Sequence, residues 1–293
     1  MINTIYYFFI FVAGTLFGSF LNLVSDRVVK GKNFMVGRSE CDHCKHPLKP
    51  TNLIPVLSYL FQKGRCSFCN EKLSWYYPFS EFLTGLAFVF SAYYSHVLTD
   101  ISVMRFLDFA YLTIVICFYI VLVLADMKYR LVPSKVVYPA IFFVFIFILG
   151  ISILQLAMYR NLLQSDPFGM YLIKAGFWNR QVVAALIQLL YTLGSAFGIS
   201  LFFLFLIYIT KGRGMGGGDL NLGFLIGLFN GFPFNLLAIF LGFVFGAVYS
   251  LGLIAIKRKT VKDTIPFGPF LLLGSIVAMV FGKSIVNWYL GLF

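Results

Sequence analysis

The chain of 293 residues is 60% hydrophobic and only 12% charged, about half the charged fraction of an ordinary soluble domain. A water-soluble globular fold is thereby excluded, and the bilayer is left as the medium for the apolar excess. The formal net charge of +12 would suggest a nucleic-acid partner in a soluble protein. Here the basic residues stand between apolar runs, where membrane orientation accounts for them, and no nucleic-acid partner is expected.

Crossing the hydrocarbon core takes roughly 20 apolar residues per helix. Runs free of Asp, Glu, Lys and Arg cover residues 1–25, 136–159, 181–210 and 220–256. The last is long enough for two helices joined by a turn at Asn230-Gly231-Phe232-Pro233. In chain order the apolar runs predict about eight transmembrane helices, near 4–24, 79–96, 103–125, 136–158, 182–209, 220–233, 236–256 and 265–290. The fold class is an all-α polytopic membrane bundle with one polar insert after the first helix. The expected division is 1–24 for the first span, 25–78 for the insert and 79–293 for the remaining bundle.

The first apolar stretch lacks a positive n-region, exceeds the length of a signal h-region and is followed by Arg27, Lys30 and Lys32. It is expected to remain as a helix rather than be removed as a signal peptide. Small residues at Gly14, Gly18 and Ser19, at Gly194, Ser195 and Gly198, at Gly223 and Gly227, and at Gly242 and Gly246 are read as helix contacts, because small side chains let helices approach closely. The stretch 159–181 reads as the longest outside loop, with Phe168, Phe177 and Trp178 at headgroup level.

With the N-terminus outside, the segments 25–78, 126–135, 211–219 and 257–263 are cytoplasmic and carry 18 of the 23 Lys and Arg residues. That is the positive-inside bias. The opposite orientation would leave the inside with Arg105, Arg160, Lys174, Arg180 and Lys283.

The insert contains Cys41-Asp42-His43-Cys44 and Cys66-Ser67-Phe68-Cys69, two CxxC pairs separated by 21 residues. This is close to the four-thiolate zinc pattern, each pair chelating from a tight knuckle. Four protein ligands leave no open position, so such a zinc is structural. The competing reading, two disulfides, is opposed by cytoplasmic placement, where thiols stay reduced. His43 and His46 are candidate substitute ligands. An insert of about 50 residues hardly builds its own core, and a metal supplies the missing folding free energy. Cys117 lies in an apolar helix and reads as a small buried hydrophobe.

Among only 11 acidic residues, Asp126 ends an apolar run and Asp219 follows Gly214-Met215-Gly216-Gly217-Gly218 to open another. On position alone, helix-end solvation or capping accounts for either. Two aspartates from separate helices can also share one proton, one acting as base toward water while the other polarises a carbonyl. The glycine run lets backbone approach a carboxylate closely, as an extended peptide substrate requires.

Gly216-Gly217-Gly218-Asp219 fits the GxGD signature of membrane aspartyl peptidases. With it stand Gly18-Ser-Phe-Leu-Asn-Leu23, the two CxxC pairs, Asn52-Leu-Ile-Pro-Val-Leu-Ser-Tyr59, Gly64-Arg-Cys66, Ser74-Trp-Tyr-Tyr-Pro-Phe-Ser-Glu81 and Ile265-Pro-Phe-Gly-Pro-Phe-Leu271. In order and spacing these resemble the bacterial type IV prepilin leader peptidase/N-methyltransferase family, from about residue 14 to 275. The resemblance implies a bifunctional enzyme of the bacterial cell (inner) membrane. Such an enzyme cuts the basic leader from type IV prepilins or pseudopilins after a glycine on the cytoplasmic side, then N-methylates the exposed residue with S-adenosylmethionine. By motif position the catalytic pair falls on Asp126 and Asp219, with Asp263 the acidic runner-up. Two departures stand out: Asn221 where the family commonly has Lys, and Tyr76 where it commonly has Arg. Glu81 is a candidate for methyl-donor or leader binding, with helix-start capping by Ser80 and Glu81 the simpler reading. A peptidase without methylation, an ion-coupled transporter and a zinc-ribbon scaffold are the alternatives, the transporter opposed by the lack of mid-span charges other than Lys283.

Overall fold

The computed structural model describes residues 2–33, 37–41, 43–212, 216–257 and 265–291. Its elements are α1 (Ile2–Val29), α2 (Leu57–Phe61), α3 (Tyr76–Tyr94), α4 (Val103–Tyr129), α5 (Ser134–Gln164), α6 (Pro167–Lys174), α7 (Phe177–Ile209), α8 (Gly217–Asn230), α9 (Phe234–Ala255) and α10 (Gly268–Leu290). No strand occurs among the described residues, only two isolated bridges within the insert. All eight expected helices are present, as α1, α3, α4, α5, α7, α8, α9 and α10. Six of them, α1, α4, α5, α7, α9 and α10, are long and apolar enough to cross a membrane. The 14 residues of α8 reach about 21 Å, short of the hydrocarbon thickness of about 30 Å.

The chain divides into two compact units, Met1–Val136 and Val137–Phe293. In the first, α1 packs on α3 and α4, and α3 on α4. The inner face of α4, with Val115, Tyr119, Leu122 and Ala125, is buried together with Leu21 of α1 and Phe88 and Ala92 of α3. In the second, α7 pairs with α8 and α9 with α10, while α8 touches both α9 and α10. Phe203, Leu222, Leu225, Ile226 and Leu271 form its buried centre. Large apolar side chains such as Phe8, Phe142, Leu190 and Val248 face outward, the surface that lipid covers in a spanning bundle.

Local signals set the helix ends. Ser102 caps α4 by accepting the Arg105 N–H, and Asp166 caps α6 by accepting the Gly169 N–H at 3.2 Å ahead of Pro167; both are standard N-terminal devices. The stretch 159–181 is therefore not an open loop. It holds the last turn of α5, all of α6 and the start of α7. The turn at 230–233 is as expected: α8 stops at Asn230, Gly231 takes φ +64°, and α9 begins at Phe234.

Only some small residues make helix contacts. A Cβ on Gly227 would stand 2.6 Å from the Ala196 Cα, and one on Gly242 2.9 Å from the Leu271 Cα. Gly194 and Gly198 meet nothing within 4 Å; they lie on a side of α7 turned from α8, and spacing alone does not say which face a helix presents. Between them in sequence, Ser195 accepts a 2.7 Å hydrogen bond from Nδ2 of the fully buried Asn235.

Gly227→Ala is expected to lower stability by about 1–3 kcal/mol through overpacking, whereas Gly198→Ala should be neutral or stabilising by up to about 1 kcal/mol. Thermal unfolding of the two variants in one detergent checks this; equal melting temperatures would refute the assigned α7–α8 contact.

Candidate metal centre and membrane-edge carboxylates

The two CxxC pairs sit on knuckles of the same shape. In the first, the Cys41 N–H donates to the His46 carbonyl (3.1 Å) and the Lys45 N–H to the Cys41 carbonyl (3.0 Å). In the second, the Cys66 N–H donates to the Glu71 carbonyl (2.9 Å) and the Asn70 N–H to the Cys66 carbonyl (3.0 Å). Lys45 and Asn70, each following the second cysteine of its pair, both take left-handed φ, +56° and +58°. The bridges Glu40–Pro47 and Arg65–Lys72 close the two loops.

The four Sγ atoms all lie within 4.8 Å of one another, and Cys41 and Cys69 are 4.0 Å apart. A tetrahedron with Zn–S bonds of about 2.3 Å has S···S edges of about 3.8 Å, so the donor set fits zinc. The thiols are free. Backbone N–H groups of Cys69 and Phe68 pull the Cys66 thiol down to about 7. At Cys69 the Glu71 N–H lowers the pKa, but burial and the neighbouring thiols outweigh it and push it up to about 11. Four thiols so crowded ionise together only around a cation. Neither histidine joins the cluster: the His46 ring packs on Phe68 with centroids 3.8 Å apart. Cys117 is half-buried in α4.

Asp126 lies in the last turn of α4, 6% exposed, and its carbonyl accepts the N–H of Arg130, which ends the helix in the left-handed region. The hydroxyl of Tyr76 donates to the Leu124 carbonyl one half-turn earlier, at 3.1 Å. Asp219 lies in the first turn of α8 and is half-buried. Its Oδ2 accepts the Gly216 N–H at 3.3 Å, while its own N–H donates to the Gly216 carbonyl. The carboxylate thus also meets the positive end of the helix dipole. Asp126 belongs to the first unit and Asp219 to the second. Asp42, Gly214, Met215 and Asp263 lie outside the described residues.

Ser80 and Glu81 do not cap a helix, because α3 begins at Tyr76 and both lie within it. Asn22 of α1 donates to the Ser80 oxygen (2.8 Å) and to the Gly18 carbonyl (3.1 Å). Glu81, 9% exposed, accepts the backbone N–H of Val56 at 2.7 Å. This carboxylate forms one wall of a cavity of about 470 Å³ between α1, α3 and the insert. Asp26 lines the same cavity and was passed over in the sequence. It is held by Lys128 Nζ at 2.8 Å and by the Tyr129 hydroxyl at 2.9 Å. The available signal was an acid at the polar end of α1, the same positional mark that singled out Asp126.

Residues 12–95 match the Bacterial Peptidase A24 N-terminal domain, a stretch that holds most of α1, the insert and α3. The whole chain is 28% identical to a prepilin leader peptidase/N-methyltransferase of Bacillus subtilis, over 96% of each chain. It is 28% identical to one of Aeromonas salmonicida, covering 98% of this chain and 94% of the relative, and 26% identical to one of Pseudomonas aeruginosa, covering 94% and 91%. No solved structure matches. A chain with membrane-length helices, a four-thiol centre and this similarity over nearly its whole length resembles the prepilin leader peptidase/N-methyltransferases, and its residues 12–95 match their A24 N-terminal domain.

Proposed function

We propose that the protein is a bifunctional membrane enzyme that cleaves the leader of type IV prepilins or pseudopilins and then N-methylates the new N-terminus. The observation that carries the reading is the near full-length similarity to enzymes bearing both activities in their names. It is joined to two carboxylates at helix ends, one buried in the last turn of α4 and one in the first turn of α8. The N-terminus is outside, and the insert and both aspartates face the cytoplasm, as the positive-inside bias supports. The segment 25–78 acts as a cytoplasmic module between the first span and the peptidase bundle.

In this reading Asp126 and Asp219 share one proton. One carboxylate takes a proton from the attacking water while the other gives its proton to the scissile carbonyl oxygen, and collapse of the adduct passes a proton to the departing amine. The titration belongs to the pair, so neither aspartate has a permanent role. The short α8 suits this work: its N-terminal glycines leave backbone open beside Asp219 for an extended chain. A prepilin's apolar helix lies in the bilayer, which delivers the cleavage site to the interface. S-adenosylmethionine, when bound, would supply a methyl group to the freed amine, the electron pair of the broken C–S bond staying on sulfur and one proton being released. Cys41, Cys44, Cys66 and Cys69 would hold a zinc whose four protein ligands leave no open position, so it would keep the insert folded and supply no chemistry to either step.

Asp126→Asn and Asp219→Asn should each reduce leader release from a prepilin fragment by about 10³-fold or more while leaving the melting temperature in detergent within a few degrees. Mass spectrometry of the fragment reads both leader loss and the methyl gain; cleavage at wild-type rate by both variants would sink the aspartate mechanism. For the metal, one zinc per chain is expected by elemental analysis. Cys66→Ser should lose it and expose the insert to limited proteolysis while the spans stay folded, and full zinc retention would refute the four-thiolate site.

A further inference from the structure

We propose that the cavity between α1, α3 and the insert is the binding site of the methyl donor, an adenosyl sulfonium amino acid, with Glu81 as its buried counter-charge. This rests on the methyltransferase half of the function proposed above. The volume of about 470 Å³ falls within the roughly 300–1,000 Å³ of small-molecule sites.

The charges are arranged for such a ligand. Of the three carboxylates in the lining, Glu40 is exposed and Asp26, part-exposed, is neutralised by Lys128 at 2.8 Å. Glu81 has no ion-pair partner among the described residues, and the N–H of Val56 is its hydrogen-bond donor from the insert. A carboxylate buried without a cation is unfavourable, and a ligand carrying sulfonium and ammonium charges supplies the missing partner. Cations outnumber acids in the lining, with Arg27, Lys30, Lys32, Arg38 and Lys45 beside Asp26, Glu40 and Glu81. Arg27 donates to the Gly37 and Arg38 carbonyls, both at 3.0 Å, and the exposed Lys30 lines the same cavity. These cations suit the donor's carboxylate and repel a basic leader peptide. Tyr59, its ring against Trp75 and its hydroxyl donating to the Leu73 carbonyl, gives the wall an aromatic surface for a purine.

The backbone is strained where it meets Glu81. Val56, a β-branched residue, holds φ +59° and ψ −52°, a costly conformation for such a side chain. Strain of this kind persists only where surrounding structure enforces it and gathers at ligand sites. The N–H so placed docks the insert on Glu81 and closes the cavity.

The test is calorimetric titration of S-adenosylmethionine and S-adenosylhomocysteine into detergent-solubilised wild type, Glu81→Gln, and Ser58→Trp, which fills the cavity from α2; zinc content and melting temperature check folding. Glu81→Gln keeps an acceptor for Val56 but no charge, so S-adenosylmethionine affinity should fall about tenfold or more, with a smaller loss for the uncharged thioether. Ser58→Trp should abolish binding of both. A prepilin fragment assayed alongside separates the two levels of inference. Wild type that cleaves and methylates while both variants bind the donor like wild type overturns the cavity assignment alone; wild type that neither binds donor nor methylates overturns the methyltransferase reading with it. Binding of a synthetic basic leader peptide that Ser58→Trp abolishes, with donor affinity unchanged, makes the cavity a leader site and overturns the proposal.

Discussion

The first unit depends on how closely α1 and α3 approach. A Cβ on Gly18 would lie 2.8 Å from the Glu81 Cα, and one on Gly14 2.9 Å from the Gly85 Cα, so the two backbones touch with hydrogen atoms between them. In lipid no hydrophobic force drives helices together, and contact of this kind, with polar groups satisfied across it, is what holds them. Asn22 meets that second need, bridging to Ser80 from within α1. The same approach fixes where Glu81 stands, because its neighbours on α3 have no freedom to slide along α1.

Above that helix pair the insert has little core of its own. Its two knuckles are joined by four thiols, and it docks on the helices by Val56 reaching Glu81 and by Arg27 reaching back to Gly37 and Arg38. The metal is therefore linked to the cavity by structure rather than by chemistry. Cys41 and Cys66 also line the cavity, so unfolding of the ribbon removes part of its wall. A structural zinc in this position acts on ligand binding through shape alone.

The spacing of the cysteines and the six membrane-length runs were legible in the sequence because each is a local pattern with a strict physical requirement: two thiols on a tight knuckle, and about 20 apolar residues to cross lipid; α3 and α8 read as runs of the same kind but do not reach that length and apolarity. The positions of Asp126 and Asp219 were legible for the same reason, as acids at the ends of apolar runs. Contacts between distant residues were not. Nothing local pairs Val56 with Glu81, 25 residues away, so helix-start capping stood as the simpler reading of Glu81 beside methyl-donor or leader binding. Gly198 and Gly227 look alike in sequence, yet one meets nothing and the other Ala196, because periodicity gives a helix its faces without naming the partner of each. The helix α6 was hidden in the stretch that read as an outside loop, where Asp166, Pro167 and Gly169 serve as cap, first-turn proline and close contact with the Leu163 backbone.

The end of α4 ties the two chemistries of the first unit together. Asp126 and Lys128 are two residues apart and so point to nearly opposite sides of the helix. Lys128 holds Asp26 on the cavity wall and reaches the Tyr77 hydroxyl at 3.0 Å. Tyr76, the neighbour of Tyr77 on α3, grips the same turn from its Leu124 carbonyl. An arginine at position 76, as the resembling family commonly has, would bring a second fixed cation to this turn. Tyrosine instead supplies a neutral donor to the carbonyl and leaves Lys128 as the cation nearest Asp26. In this chain α3 is thus tied to the last turns of α4 by a neutral hydrogen bond from Tyr76 and by the Lys128 contact with Tyr77.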